Sequence, residues 1–164
     1  MIAETHAQAT RIAGLLRERG ETIAVADGAT GGLIAASLLT VPGALDFFVG
    51  AGVVYSLRAR DVLFDLPREA YQGMRSVTAD YALLQARAIR ERLGADWGLA
   101  ESGSAGASKH PMKVASGRSI AALAGPGGEF TRATETGSED RIANMAAFTG
   151  NALELLEEAL GKGA

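Results

Sequence analysis

The stretch AVADGATGGLIAA, residues 24–36, constrains the fold more than any other part of the sequence. A short apolar run stops at Asp27, glycines follow, and a second apolar run begins. This order predicts a buried strand, a tight turn and the start of a helix, a combination typical of α/β proteins. The first backbone amides of a helix lack intrahelical partners and lie at its positive end, so Thr30, Gly31 and Gly32 are predicted to bind a phosphate or carboxylate.

The glycines of this loop also have a second interpretation. They can serve only the tight turn and the close approach of the helix to the strand. The loop has neither the glycine pattern of dinucleotide-binding folds nor the lysine of a Walker motif. The spacing alone therefore leaves anion binding and turn formation as equal alternatives.

Helical and strand-like segments alternate along most of the chain, which predicts a three-layer α/β/α sandwich around a mixed, mostly parallel sheet. No segment has the composition of a linker, so residues 1–164 are interpreted as one domain. The glycines around Gly125-Pro126-Gly127-Gly128 predict a hairpin. Helices are predicted near residues 3–19, 31–41, 57–66, 76–94 and 138–160, and strands near 21–26, 47–56 and 96–102.

Two stretches of the chain share one pattern. AVADGATGG and GLAESGSAG each contain an apolar strand, an acidic residue, a small residue and a glycine-containing loop. Ligands of open α/β sheets bind at the carboxyl ends of strands. The two loops are therefore expected to line one crevice if their strands lie close together.

Composition excludes several classes of function. The formal net charge is −3, so no overall positive field would attract nucleic acid. The chain has no cysteine, and its two histidines, His6 and His110, lack metal-ligand spacing, so no metal site, cofactor or Ser-His-Asp triad is predicted. The first residues do not read as a secretory signal, and no apolar run is long enough to span a membrane. We therefore expect a soluble cytoplasmic protein.

Two further groups of residues carry candidate chemistry. Tyr55, with Arg60 shortly after it, ends a predicted strand, and a phenol and a guanidinium can contact an anionic or amide substrate. The alternative is a tyrosine at a strand boundary followed by solvated arginines. Ser102, in the second glycine loop, is a candidate hydroxyl donor or nucleophile; the alternative is a loop serine that bonds its own backbone.

The order of these motifs resembles the C-terminal domain of the CinA family, the nicotinamide-nucleotide amidases. The family sequence A-E-S-C-T-G-G corresponds to residues 26–32, and Tyr-Ser-x-x-Ala-Lys corresponds to residues 55–60. The family's His-Gly-Ala-Val-Ser corresponds to residues 72–76, and Ser/Thr-Gly-Ile-Ala-Gly-Pro corresponds to residues 102–107. The spacing from residue 23 to about residue 106 needs no gaps. The resemblance also places Gly103 and Gly106 at the candidate site.

The resemblance implies a three-layer α/β fold and hydrolysis of the carboxamide of nicotinamide mononucleotide. In that family the serine of the first motif is the nucleophile, assisted by the tyrosine and the lysine. This chain has Gly28 at the serine position and Arg60 at the lysine position. Glycine cannot form an acyl intermediate, and arginine stays protonated, so it cannot act as a base.

The leading hypothesis is therefore a CinA-like protein that keeps a nucleotide- or phosphate-sized pocket and lacks serine-dependent amidase activity. Its expected ligand is a pyridine nucleotide or another phosphate-bearing small molecule. One alternative is a working amidohydrolase with relocated chemistry, using Ser102 or a water molecule activated by Asp27. Another is a non-catalytic oligomeric scaffold or regulator. The resemblance and the apolar C-terminal helix also imply a homo-oligomer.

Overall fold

Five strands form one mixed sheet in the computed structural model, which describes residues 1–162. The strand order is β2-β1-β3-β4-β5. β1 pairs in parallel with β2 and β3, whereas β4 pairs antiparallel with β3 and β5. The predicted mixed sheet is confirmed, with two parallel and two antiparallel pairings. The strands are β1 (Ile23–Asp27), β2 (Phe48–Val53), β3 (Trp97–Ser104), β4 (Arg118–Gly125) and β5 (Gly128–Glu135).

Five helices cover the two faces of this sheet, which confirms the three-layer arrangement. One core lies between the sheet and α1, α2 and α5, and includes Val25 and Leu99. The other lies between the sheet and α3 and α4, and includes Ala24 and Ala100. The helices are α1 (Ile2–Arg19), α2 (Leu33–Leu39), α3 (Leu57–Phe64), α4 (Ala79–Leu93) and α5 (Arg141–Lys162).

Local sequence signals explain several boundaries of these elements. α1 and α4 end at Gly20 and Gly94, both in the left-handed conformation that glycine adopts at little cost. The predicted hairpin is confirmed, because β4 and β5 pair up to Gly125 and Gly128. Within residues 1–162, every helix is too short or too polar to cross a membrane.

The parallel arrangement of β2, β1 and β3 places their carboxyl ends at one edge of the sheet. Ala26 of β1 pairs with Ala100 of β3, so the acidic residues Asp27 and Glu101 follow side by side. The two glycine loops predicted to share a crevice therefore begin at adjacent strands.

Candidate binding cleft at the carboxyl edge of the sheet

A cleft with a volume of about 480 Å³ opens at this edge of the sheet. Gly28 and Ala29 after β1, residues 54–57 after β2, and residues 101–104 of β3 form part of its wall. Residues between Gly106 and Met112 form another part, and α4 and α5 contribute Tyr81, Gln85 and Arg141. The size is typical of a site for a small molecule.

The structure brings together half of the ten residues predicted for the site. The cleft wall includes Gly28, Tyr55, Ser102, Gly103 and Gly106. The two glycine loops thus contribute to one crevice. The remaining predicted residues do not line it, for reasons that follow from their hydrogen bonds and burial.

Asp27 has a role inside the fold instead of in the cleft. Its side chain is fully buried. Oδ1 accepts hydrogen bonds from the Thr30 hydroxyl (2.5 Å) and the Ile34 amide (3.1 Å), and Oδ2 accepts one from the Ala35 amide (3.2 Å). Burial raises the pKa of Asp27, although these hydrogen bonds oppose the shift. The carboxyl therefore caps α2, and the water activation predicted for Asp27 has no access to the cleft.

The loop amides predicted to bind an anion face protein acceptors, and that of Gly32 is directed at the Asp27 carboxyl. The Thr30 amide donates to Oε2 of Glu101 (3.0 Å), and the Gly31 amide donates to the Gly28 carbonyl (3.0 Å). Gly31 and Gly32 both have positive φ angles, which glycine adopts without strain. The prediction of an anion site at Thr30, Gly31 and Gly32 is corrected: these residues form the turn.

Glu101 is the residue at this site that sequence reasoning missed. Its side chain is 1% exposed. Oε1 accepts a hydrogen bond from the Ser119 hydroxyl (2.6 Å) of β4, and Oε2 accepts the one from the Thr30 amide. The repeated pattern that places Asp27 and Glu101 at the ends of two strands was the available signal. It did not show that the two carboxyls converge on Thr30.

Gly28 leaves no room for a side chain. A Cβ atom added to Gly28 would overlap the backbone carbonyl of Glu101 and would lie 3.2 Å from its Oε2. The backbone atom is not free to move away, because β3 is held by β1 and β4. The position that holds the nucleophile in the resembling family is therefore occupied here by the β3 main chain.

Burial dominates the protonation of Glu101. It raises the pKa of Glu101, and the nearby Asp27 carboxyl raises it further, while the hydrogen bonds from Ser119 and Thr30 lower it. The shift is upward from the ordinary value of 4.5. Burial is thus the largest cause of the upward pKa shift at both Asp27 and Glu101.

Replacing Glu101 by Gln is expected to flatten the pH dependence of stability. Because the pKa is raised by folding, the stabilisation from the proton on Glu101 is complete below 4.5 and is lost as pH rises through the raised pKa. Unfolding by denaturant, measured from about pH 4 to about pH 8, should show the wild type losing more stability than E101Q. Parallel curves for the two proteins would contradict this assignment.

Ser102 positions a neighbouring loop. Its side chain is 8% exposed, and its Oγ accepts a hydrogen bond from the Val77 amide (3.0 Å). Val77 has a φ of 60°, which is costly for a β-branched residue. Within residues 1–162, the hydrogen bond of the Ser102 hydroxyl is to this amide and not to a general base. A role as hydroxyl donor fits this geometry better than a role as nucleophile.

Tyr55 and Arg60, predicted together, are separated by the structure. Tyr55 is 71% exposed at the cleft. The Arg60 guanidinium is buried, bonds Asp61 at 3.0 and 3.1 Å, and lies 3.7 Å from the ring centre of Tyr71. Arg60 does not itself line the cleft, although it lies beside Tyr81, which does, so the structure does not bear out the predicted direct contact of Arg60 with a ligand.

Positive charge lines the cleft at residues distant in sequence. Lys109 and Arg141, which we call the basic rim, are exposed and line it. The Arg141 guanidinium bonds the Ser108 hydroxyl (3.4 Å). His110 adds a donor without charge, because burial lowers its pKa and its Nδ1 accepts from the Met112 amide (3.0 Å), leaving the proton on Nε2.

A metal ion in a protein is held by a group of side chains such as His, Asp and Glu. No group of three or more His, Asp or Glu side chains among residues 1–162 could hold a metal ion. The cleft therefore offers hydrogen-bond donors, one exposed aromatic ring and a cationic rim.

Comparison with known proteins relates this arrangement to one family. The profile described as CinA C-terminal domain matches residues 5–160. A CinA-like protein of Myxococcus xanthus is 33% identical over 159 residues, and one of Synechococcus elongatus is 31% identical over 161 residues. Each match covers 96% of this chain but only 37% or 38% of the relative. The chain thus spans less than two fifths of the length of these relatives.

Solved structures show the same fold over nearly the whole chain. A competence-damaged protein (CinA) superfamily protein from Klebsiella pneumoniae superposes with a TM-score of 0.88 and 26% identity, covering 96% of this chain and 98% of that one. A competence/damage inducible protein from Agrobacterium tumefaciens gives a TM-score of 0.86 and 25% identity, with coverage of 96% and 95%. Sequence and fold together show that this chain belongs to the CinA C-terminal domain family.

Proposed function

We propose that this chain binds a phosphate-bearing small molecule in the cleft and lacks serine-dependent nicotinamide mononucleotide amidase activity. The observation that carries the proposal is Gly28. Where the resembling amidases carry a serine, this chain has no side-chain oxygen, and the Glu101 backbone fills the space. An acyl intermediate cannot form at this position.

The basic rim supports binding of an anionic group. Lys109 and Arg141 are cationic at neutral pH, and His110 adds a neutral N–H donor. Arginine binds phosphate through two parallel hydrogen bonds, and lysine binds it as a point charge. The net charge of the chain is −3, so attraction of an anion depends on local groups of positive charge such as this rim.

The other walls suit the uncharged part of a nucleotide. Tyr55 offers an exposed ring for stacking, and serine hydroxyls surround the interior. A pyridine nucleotide combines a planar ring, sugar hydroxyls and a phosphate, which together match these three features. The lining serines are Ser56, Ser76, Ser102, Ser104 and Ser108.

Nicotinamide mononucleotide is expected to stabilise the protein without releasing ammonia. A ligand at 100 times its Kd adds about 2.7 kcal/mol to the free energy of unfolding, so the melting temperature should rise with nucleotide concentration. Ammonia release in the same samples should stay at the level of a protein-free control. Turnover near about 1 per second would contradict the proposal.

A non-catalytic oligomeric scaffold is the second candidate function. The observation in its favour is that β2 is an edge strand with half-exposed Val49 and Val53 side chains. The same titration separates the two functions. A melting temperature that does not change with any of several nucleotides would favour the scaffold.

Replacing Arg141 or Lys109 by Gln is expected to weaken nucleotide binding about tenfold each, because one charged contact to phosphate contributes about 1.4 kcal/mol or more. Isothermal titration with nicotinamide mononucleotide measures the change. Arg118→Gln is a matched control, since Arg118 is an exposed cation of β4 that does not line the cleft. Equal affinities for the rim variants and this control would place the phosphate elsewhere.

A further inference from the structure

The Glu101 carboxyl occupies a closed niche at the base of the cleft. The niche has two hydrogen-bond donors from different elements, the Thr30 amide at 3.0 Å from Oε2 and the Ser119 hydroxyl at 2.6 Å from Oε1. Glu101 is 1% exposed, yet it forms part of the cleft wall. An amide and a hydroxyl that converge on two carboxyl oxygens form a carboxylate-binding arrangement.

Two glycines give the niche its shape. A Cβ atom on Gly103 would overlap Oε1 of Glu101 and would approach Phe148 to 3.1 Å. A Cβ atom on Gly28 would lie 3.2 Å from Oε2 and would overlap the Glu101 carbonyl. Any side chain at either position would therefore displace Glu101. The two glycines thus leave space for the planar end group of the side chain at position 101.

We propose that Glu101 is an internal ligand of the loop formed by residues 28–32, and that it excludes the anionic group of an external ligand from this loop. The anionic group is thereby directed to the basic rim, which makes Glu101 a residue that determines how a ligand lies in the cleft. The hydrogen bonds of Glu101 are sufficient to show that it occupies the niche. That Glu101 directs an external ligand to the basic rim rests on the proposed function.

Removing the side chain should expose the niche to a substitute. Glu101→Ala deletes a methylene and a carboxylate and leaves the Thr30 and Ser119 donors without partners, which is unfavourable for buried groups. Acetate has the deleted atoms, with a methyl group in place of the methylene. Because Glu101 forms part of the cleft wall, we expect its truncation to open the niche to the cleft and to admit acetate.

Thermal unfolding of E101A in sodium acetate, compared with sodium chloride at equal ionic strength, tests the proposal. Acetate is expected to raise the melting temperature of E101A saturably, by about 3 °C or more. The wild type and E101Q, whose side chains fill the niche, should respond equally to both salts. Propionate, one methylene longer, should act more weakly than acetate. An acetate effect on E101A no larger than on E101Q would overturn the proposal.

The double variant E101A/R141Q separates this inference from the proposed function. Arg141 belongs to the basic rim and makes no contact with the niche, so the acetate effect should persist while nucleotide binding falls. If acetate no longer stabilised this variant, acetate would be binding at the basic rim, and the proposal that it fills the niche of Glu101 would be overturned. If acetate still stabilised the double variant and its affinity for the nucleotide were unchanged, only the proposed function would be contradicted.

A measurement on the wild type covers the case in which E101A does not fold. The amide resonance of Thr30 should shift as Glu101 titrates, and this shift should be absent in E101Q. The Asp27 carboxyl also contacts Thr30, through its hydroxyl, and it remains in both proteins as an internal reference. A Thr30 titration that is the same in the wild type and E101Q would overturn the proposal.

Discussion

Replacing Gly28 by Ser is expected to destabilise the fold by about 3 kcal/mol and to restore no amidase activity. The added Cβ would overlap the Glu101 backbone carbonyl, and β3 cannot yield without disturbing its pairing with β1 and β4. Overlap with a backbone atom costs more than overlap with a side chain that can rotate. A serine introduced at position 28 is therefore not expected to act as a nucleophile.

Denaturant unfolding and ammonia release from nicotinamide mononucleotide measure the two parts of this expectation. Gly28→Ala should lose about as much stability as Gly28→Ser, because the Cβ is responsible for the overlap. Gly150→Ser in α5 is the control, since a Cβ there has nothing within 4 Å, and it should change stability by less than about 0.5 kcal/mol. A G28S protein of wild-type stability, or one that releases ammonia, would refute the steric argument.

Replacing Asp27 by Ala is expected to reduce the free energy of unfolding by about 2–4 kcal/mol. The carboxyl accepts hydrogen bonds from Thr30, Ile34 and Ala35, and its loss leaves these donors unpaired beneath α2. Asp27→Asn keeps one oxygen and the shape of the side chain, so it should lose less. Equilibrium unfolding in urea gives both values.

Asp46→Ala is the control for this series, because Asp46 is exposed and makes only a surface ion pair with Arg17. Such a pair contributes at most about 1 kcal/mol. If D27A were as stable as D46A, the buried cap would be unimportant.

The stability losses expected for G28S and D27A give the glycine loop a structural role that does not require a serine at position 28. Thr30 donates to Glu101 through its amide and to Asp27 through its hydroxyl, and the Gly31 amide donates to the Gly28 carbonyl. The loop is thus a structural junction between β1, α2 and β3. We infer that ligand recognition lies at the other side of the cleft, with the basic rim and Tyr55.

Much of the fold followed from local patterns. The alternation of helices and strands, the hairpin at Gly125 and Gly128, and the helix ends at Gly20 and Gly94 depend on neighbours in sequence. The repeated acidic pattern also located two adjacent loops. The side-chain partners at those loops were not predictable. Glu101 accepts hydrogen bonds from Thr30 and Ser119, which lie 71 and 18 residues away in the sequence.

The sequence by itself determined the family, the layered fold and the absence of a side chain at position 28, since these depend on residue identity and spacing. Only the tertiary structure decided that Arg60 packs on the ring of Tyr71 and does not line the cleft, and that Lys109 and Arg141 line it together. The physical reason is that burial and hydrogen bonding are set by all the neighbours of a side chain. Most of those neighbours lie far away along the chain.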